Sequence, residues 1–264
     1  MPLVSVILTS YNYSRYLEKT IQSILAQSFD DFELLIIDDA SVDGSPDIIK
    51  KYADRDPRIR PLYHNKNLGI SSTQNEGIEE SRGKYIAFCA SDDLWHPDKL
   101  KTQLKEYKND ENIVVWSQGI IIDKADNLTG QTWTTLLNIP DPPPSGDIFR
   151  ILLNGNFILG SSRMVKKENI GNIRWKKNLK YLGDYAFAVD LAARYHYRYI
   201  PEGLVFYRVH GDNTFDRDRR GYGRDTLLIL CYFLIRYWNK LTIRDIIDIS
   251  RCQYRTFRYI VSVA

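Results

Sequence analysis

The chain has too few cysteines, in the wrong places, for a disulfide framework or a thiolate metal site. Its three, Cys89, Cys231 and Cys252, are odd in number and lack ligand spacing, which reads as reduced core thiols in a cytoplasmic protein. No apolar run is long enough to span a bilayer: the strongest, residues 225–235, falls short of the ~20 residues a transmembrane helix needs. Met1-Pro2-Leu3-Val4 has no basic region ahead of it and runs directly into a strand, so no secretory signal is expected, and the sequons at Asn12 and Asn127 then carry no meaning. No internal repeat is visible. A net charge of +3 is too small to argue for nucleic acid. The first strand is not followed by Gly-x-Gly-x-x-Gly, which excludes a dinucleotide-binding dehydrogenase, and no Gly-Lys-Ser/Thr marks a P-loop. The glycine-rich, arginine-bearing opening of sugar nucleotidylyltransferases is missing as well.

What is present is a set of short apolar runs that each end abruptly in polar residues. Val4-Ser5-Val6-Ile7-Leu8 runs into Thr9-Ser10-Tyr11-Asn12, and Leu34-Leu35-Ile36-Ile37 into Asp38-Asp39-Ala40-Ser41. Between them Tyr16, Leu17, Ile21, Ile24 and Leu25 recur at helical spacing. A strand-helix-strand unit of this kind places both polar ends side by side at one sheet edge, where a nucleotide would sit. A helix over 47–52, with Ser45 as N-cap and Pro46 in the first helical position, a strand over 59–64 and a helix ending near Gly83 continue the alternation. The strand Lys84-Tyr85-Ile86-Ala87-Phe88-Cys89 then ends in Ala90-Ser91-Asp92-Asp93. With 264 residues, 44% of them hydrophobic, the chain can bury a full α/β core.

These signals predict an α/β fold, a Rossmann-like, mostly parallel sheet flanked by helices. A nucleotide-binding half covers 1–109 and an acceptor-binding half 110–214, followed by a helical tail over 215–264. The apolar stretches 113–116 and 120–122 return to the sheet. Pro140, Pro142, Pro143 and Pro144 mark residues 126–147 as a long surface loop, either a connector or a wall beside the site. Helical periodicity resumes over 183–195, and 203–207 reads as a short strand. From residue 214 onward ten Lys and Arg stand against five Asp. In the tail Thr242 and Asp245 form a capping box, and Arg244, Arg251, Arg255 and Arg258 flank an apolar face of Ile243, Ile246, Ile247, Tyr254, Phe257 and Val261. Such a helix suits either an anionic membrane surface or packing on the catalytic body.

Thr9, Tyr11, Asp38, Asp39, Asp92 and Asp93 come from strand ends that should be neighbours. Clustered carboxylates repel one another unless a cation sits among them, and oxygen ligands favour Mg²⁺ or Mn²⁺. Taken singly, Asp39 reads equally as a helix cap, Asp43 as a turn residue and Asp93 as an N-cap.

Together these residues reach a known family. The chain resembles the inverting family 2 glycosyltransferases of the GT-A fold, and is especially similar to the spore-coat polysaccharide type. The resemblance is carried by residues 4–12, by Asp38-Asp39-Ala40-Ser41-Val42-Asp43-Gly44-Ser45, Asn67-Leu68-Gly69, Asn75-Glu76-Gly77 and Ser91-Asp92-Asp93. Sparser matches follow at Gly183-Asp184-Tyr185 and at Tyr207-Arg208-Val209-His210-Gly211-Asp212-Asn213-Thr214. The resemblance implies transfer of a sugar from a nucleoside-diphosphate donor, UDP- or dTDP-linked, to a hydroxyl of a glycan or lipid-linked acceptor in cell-surface polysaccharide synthesis. It implies that Thr9, Tyr11, Asn12, Asp39, Asn67, Asn75 and Asp92 bind the donor. Asp92, Asp93 and His210 would hold a divalent cation, and Asp184 would be the general base. Ala90 stands where many relatives carry the first Asp of an Asp-x-Asp motif, and Gln74 replaces a common arginine. Ala90 also motivates a non-catalytic, sugar-nucleotide-binding or scaffolding subunit. Acceptor choice is expected to rest on residues 126–147 and 156–163.

Overall fold

The computed structural model describes residues 1–211 and 219–262. Along the chain lie β1 (Val4–Ser10), α1 (Ser14–Leu25), β2 (Phe32–Asp38), α2 (Ser45–Ala53), β3 (Ile59–Tyr63), α3 (Ile70–Glu80) and β4 (Tyr85–Ala90). Next come β5 (Leu94–Trp95), α4 (Lys99–Glu106), β6 (Ile113–Ile122), β7 (Leu128–Thr132), α5 (Trp133–Leu136) and α6 (Phe149–Leu152). The last described elements are β8 (Met164–Lys166), α7 (Lys167–Ile170), α8 (Gly183–Ala192), β9 (His196–Arg208), α9 (Arg219–Tyr237) and α10 (Ile243–Ser262).

Every residue of β1 and β2 is buried, as continuous apolar runs covered on both faces require. The first four strands pair in parallel in the order β3-β2-β1-β4, connected through helices whose apolar stripes face the sheet: Leu17, Ile21 and Ile24 of α1 are fully enclosed. The far edge of β4 pairs antiparallel with β8, and β8 antiparallel with β6. Beyond this seam β9 runs parallel to β6, while β5 and β7 pair antiparallel with β9 and β6. The expected α/β sheet is therefore parallel through its first four strands and mixed through the rest.

Several local expectations need adjustment. Ser45 is the first residue of α2 and Gly44 its N-cap; Asp43 instead takes the N–H of Ser45 and, across the chain, the N–H of Ser14. Residues 126–147 are not one loop, because β7 and α5 form before the prolines begin. The strand expected at 203–207 is the second half of the thirteen-residue β9. The capping box at α10 forms as read: Thr242 N–H donates to Asp245 Oδ2 at 2.7 Å and Asp245 N–H to Thr242 Oγ1 at 3.2 Å.

The tail is packed on the body. Ile229, Phe233 and Tyr237 of α9 and Ile249 of α10 are buried in the common core. Buried Asp190 of α8 accepts from Tyr232 and Tyr237 hydroxyls and pairs with Lys176 at 3.0 Å, tying α9 to α8. Ile249, rather than the face expected from Ile243 and Ile247, is the inward anchor: Ile243 and Ile247 are exposed. The side chains of Arg255, Phe257, Arg258 and Val261 lie outside the described residues, as do Asp212, Asn213 and Thr214.

Candidate active site

The polar strand ends are first used to hold one another. Asn12, in left-handed conformation (φ 56°), donates its N–H to Ser41 Oγ and accepts from Val42 N–H at 2.9 Å through Oδ1, stitching the β1 and β2 loops together. Asp38 accepts from the N–H and hydroxyl of Ser41. Asp39 receives the N–H groups of Leu68 and Gly69 at 2.7 and 2.8 Å and faces His64 Nδ1 at 2.6 Å. His64 Nε2 meets Glu76, and although burial opposes it, the two carboxylates raise the imidazole's pKa. Asn67 donates weakly to the Asp39 carbonyl at 3.4 Å. Asn75 spends its carboxamide on both backbone groups of Trp175, at 2.8 and 3.0 Å. These residues form a braced rim.

A cavity of about 630 Å³ opens beside that rim. Of the residues expected at the site, Thr9, Asp92, Asp93 and Asp184 line it. Tyr11, Asn12, Asp39, Asn67, Asn75 and His210 do not belong to its wall, and Tyr11 is 43% exposed. Gln74 bridges rim and cavity, donating to Thr9 Oγ1 at 3.3 Å. Trp133 and Leu137, from the segment expected as a loop, form part of the wall, as do Tyr222 and Thr226 of α9.

Asp92 and Asp93 are neighbours with opposite duties. Asp93 is buried, with Oδ1 on the Arg208 N–H at 3.1 Å and Oδ2 on the Ser161 hydroxyl. Burial, then the adjacent Asp92 charge, pushes its pKa up to about 8. Arg208 itself is enclosed, donating to the Asp92 carbonyl and to Asp126, with its guanidinium over the Tyr16 ring. Asp92 meets His210 Nε2 at 3.1 Å, and His210 stacks on Tyr16 with centroids 5.2 Å apart. The expected trio thus resolves into an Asp92–His210 pair and a separate, internally bonded Asp93. No cluster of three or more metal-ligating side chains occurs among the described residues. Asp92 on the cavity wall, with the enclosed His210 against it at 3.1 Å, offers a carboxylate to an ion that would draw its remaining oxygens from a bound diphosphate, as Mg²⁺ sites with one or two carboxylates do.

Asp184 stands in the first turn of α8, where the unpaired N–H groups of the helix start favour a carboxylate. Its Oδ1 accepts from Tyr185 N–H at 2.7 Å, and Asn156 lies 3.4 Å from Oδ2. Burial raises its pKa, opposed by the charge of Arg163. Gly183 is required: a Cβ there would stand 2.5 Å from Ser71 Oγ and 3.3 Å from the Trp175 ring. Arg163, Trp133 and Tyr222 were not singled out individually in the sequence, since a charged residue entering a Met-Val-Lys-Lys strand gives no periodic sign of burial.

A cavity with one carboxylate, Asp184, free of any cation among the described residues and a second, Asp92, paired with His210 suits group transfer with a carboxylate as proton acceptor. The family model described as Glycosyl transferase family 2 matches residues 5–174. A glycosyltransferase of Bacillus subtilis named for teichuronic acid biosynthesis, TuaG, is 45% identical over 104 residues, 39% of this chain and 41% of its own length. The chain thus spans about two fifths of that relative. An uncharacterised glycosyltransferase of Methanocaldococcus jannaschii is 30% identical over 83% of this chain and 75% of its own. Among solved structures, S. aureus TarS 1–349 in complex with UDP aligns with a TM-score of 0.66 at 18% identity, covering 89% of this chain and 66% of that 1–349 chain. The mannosyltransferase PcManGT of Pyrobaculum calidifontis, in complex with GDP-Man and Mn²⁺, aligns over 100% of this chain and 75% of its own, with a TM-score of 0.66 at 15% identity.

Proposed function

Because the chain belongs to glycosyltransferase family 2, we propose that its cavity binds a nucleoside-diphosphate sugar and transfers the sugar with inversion to a hydroxyl of a glycan or lipid-linked acceptor. Asp184 carries the proposal: both oxygens of Asp93 are taken by the Ser161 hydroxyl and the Arg208 N–H, whereas Asp184 lines the cavity with Oδ2 meeting only Asn156 at 3.4 Å, no cation within ion-pair distance among the described residues, and a proton affinity raised by burial. In the reaction Asp184 accepts the acceptor's hydroxyl proton. The oxygen forms its bond to the anomeric carbon as the bond to the diphosphate oxygen breaks on the opposite face. The electron pair leaves with the nucleoside diphosphate. Asp92 and His210 would hold a divalent cation, Mn²⁺ or Mg²⁺, which when bound supplies charge neutralisation to the departing diphosphate. Thr9 and Asp92 face the donor from the wall, while Tyr11, Asn12, Asp39 and Asn67 shape and extend the rim on which base and ribose would rest. The UDP and GDP-Man complexes of the structural neighbours support a sugar-nucleotide donor, and TuaG supports a place in cell-surface polysaccharide synthesis.

The same proposal places the protein on the cytoplasmic face of a membrane, held peripherally. No helix among the described residues is long and apolar enough to cross a bilayer. Instead Ile235, Trp238, Ile243 and Ile247 are exposed around the turn between α9 and α10, interspersed with exposed Arg236, Lys240, Arg244 and Arg251. Apolar insertion flanked by cations matches an anionic lipid surface.

The deciding experiment is calorimetric binding of UDP, dTDP and GDP with and without Mn²⁺, followed by transfer assays with sugars of the nucleotide that binds. Asp184→Asn should lower turnover by about 10²- to 10⁴-fold with donor affinity kept, and NMR of the product should show the inverted anomer. Binding without Asp184-dependent turnover would instead leave a non-catalytic sugar-nucleotide-binding subunit.

A further inference from the structure

Arg163 is among the largest fully buried side chains of the protein, with 1% of its surface exposed. It follows the short turn at Gly160–Ser162 and opens the way into β8, on the wall of the same cavity as Asp184. Its guanidinium lies beside a pair of touching rings: Phe88 of β4, 5.5 Å from the ring centroid, and Phe187 of α8, 5.2 Å away, the two rings meeting edge to face with centroids 5.8 Å apart. Phe187 is one helical turn beyond Asp184, so a single helix presents both the ring and the carboxylate on one side. Nε and Nη1 of Arg163 have no hydrogen-bond partner, and no carboxylate comes within ion-pair distance of it among the described residues.

A guanidinium cannot shed its proton to escape burial, as a lysine can. Two aromatic faces offset part of the cost, but apolar surroundings of this kind would be filled at less expense by Met or Leu. A retained cation here needs a charge to act on. Two groups feel it: Tyr197, which burial keeps neutral, and the carboxylate of Asp184, where burial raises the proton affinity and the Arg163 charge opposes that rise.

We propose that Arg163 is a positioning residue for Asp184: its buried guanidinium, seated against the Phe88–Phe187 ring pair with Nε and Nη1 unbonded, is the positive charge on the wall of the cavity in which the Asp184 carboxylate receives the acceptor proton. This rests on the assignment of Asp184 as the base. Other groups surround Asp184 without supplying that charge. Asn156 is neutral, and Tyr207 and Tyr222 are held neutral by burial. Asp225 of α9 is occupied by the N–H groups of Tyr181 and Leu182. Lys180 lines the cavity with its ammonium over the Tyr181 ring, and Asp92 and Asp93 add negative charge to the same cavity. Among the described residues, Arg163 is the cation that opposes burial at Asp184.

The test is a carboxyl ¹³C NMR titration of the full chain without ligands, with the Asp184 signal assigned through Asp184→Asn. Neutral Arg163→Met and Arg163→Gln should raise the proton affinity of Asp184 by about tenfold, one pH unit, whereas Arg163→Lys should leave it near wild type. The acidic limb of kcat/KM for sugar transfer should move by the same amount in the same variants. In the wild-type protein the Arg163 Nε–H resonance should shift with the Asp184 midpoint, a readout that survives if the neutral variants fail to fold. Equal Asp184 midpoints in wild type and the neutral variants, a shift in Arg163→Lys as large as in Arg163→Met, or an Arg163 resonance that ignores the Asp184 midpoint would overturn the proposal. The titrations need no turnover, so a chain that proves inactive leaves them readable.

Discussion

Asn75 is the residue whose replacement separates a structural from a substrate role most sharply. Its carboxamide accepts from the Trp175 N–H at 2.8 Å and donates to the Trp175 carbonyl at 3.0 Å, with 7% of the residue exposed. Asn75→Ala strands both backbone groups where water has little access. With each stranded group costing about 1–3 kcal/mol, and some relaxation into the vacated space, the expected loss is about 2–4 kcal/mol. In a chain of this size each kcal/mol moves the melting temperature by about 2–4 °C, so the midpoint should fall by roughly 5–15 °C. Asn75→Asp should do comparable damage, since it places a second oxygen against the Trp175 carbonyl. The assay is thermal unfolding by circular dichroism, paired with calorimetric titration of UDP at a temperature where all variants are folded. The Trp175 ring stacks on Phe187 and underlies Gly183, so turnover should fall with stability while nucleotide affinity stays within a few-fold. An Asn75→Ala protein that melts within about 1 °C of wild type and has lost nucleotide affinity would refute this and return Asn75 to the donor site.

Other outcomes can be stated briefly. Asp92→Asn should reduce the Mn²⁺-dependent part of diphosphate binding by about 10- to 100-fold and leave metal-free binding and melting unchanged; unaltered metal dependence in calorimetry would move the ion elsewhere. His64 has a folded pKa above its ordinary 6.5, because Asp39 and Glu76 outweigh burial. The protonated form is the one the fold prefers, so its stabilisation is fully present below 6.5 and is lost as pH rises through the higher folded value. Melting curves of wild type and His64→Gln should therefore lie furthest apart in mildly acid buffer and converge with rising pH; parallel curves would count against the bridge. Replacing Trp238, Ile243 and Ile247 together by Ser should release the protein from anionic vesicles in a sedimentation assay without lowering its melting temperature. Retention on the vesicles would show that another face makes the contact.

The parallel half of the fold is legible in the sequence because β1, β2 and β4 are apolar runs closed by hydroxyls or carboxylates, so type and direction are marked together, with the short edge strand β3 following from the alternation. Beyond β4 those marks fade. β5 and β8 have two and three residues, too few for any periodicity, and β8 is the strand that reverses the sheet. Pro201 and the charged, tyrosine-rich start of β9 conceal its first half. At the site, Asp92 could be placed from its strand-end position, and Asp184 only through the family resemblance. The separation of Asp92 from Asp93 could not, because it depends on Ser161 and on the Arg208 backbone, 68 and 115 residues away in sequence. Asp39 and Asn75 are polar for reasons internal to the fold, and a residue type alone does not distinguish bracing a loop from gripping a ligand.

The knot at Asp190 makes the tail more than an appendage. α8 begins with Asp184 and, six residues on, about 9 Å along the axis, presents Asp190 to Tyr232, Tyr237 and Lys176. One helix thus has the proposed proton acceptor in its first turn and the mooring of the C-terminal helices near its other end. Removing those helices would leave Asp190 with Lys176 but strip it of both tyrosine hydroxyls, slackening the helix that carries Asp184. Conversely, a tail settled on a lipid surface, as proposed, would load the same helix, so that anchorage and catalysis would share a mechanical axis.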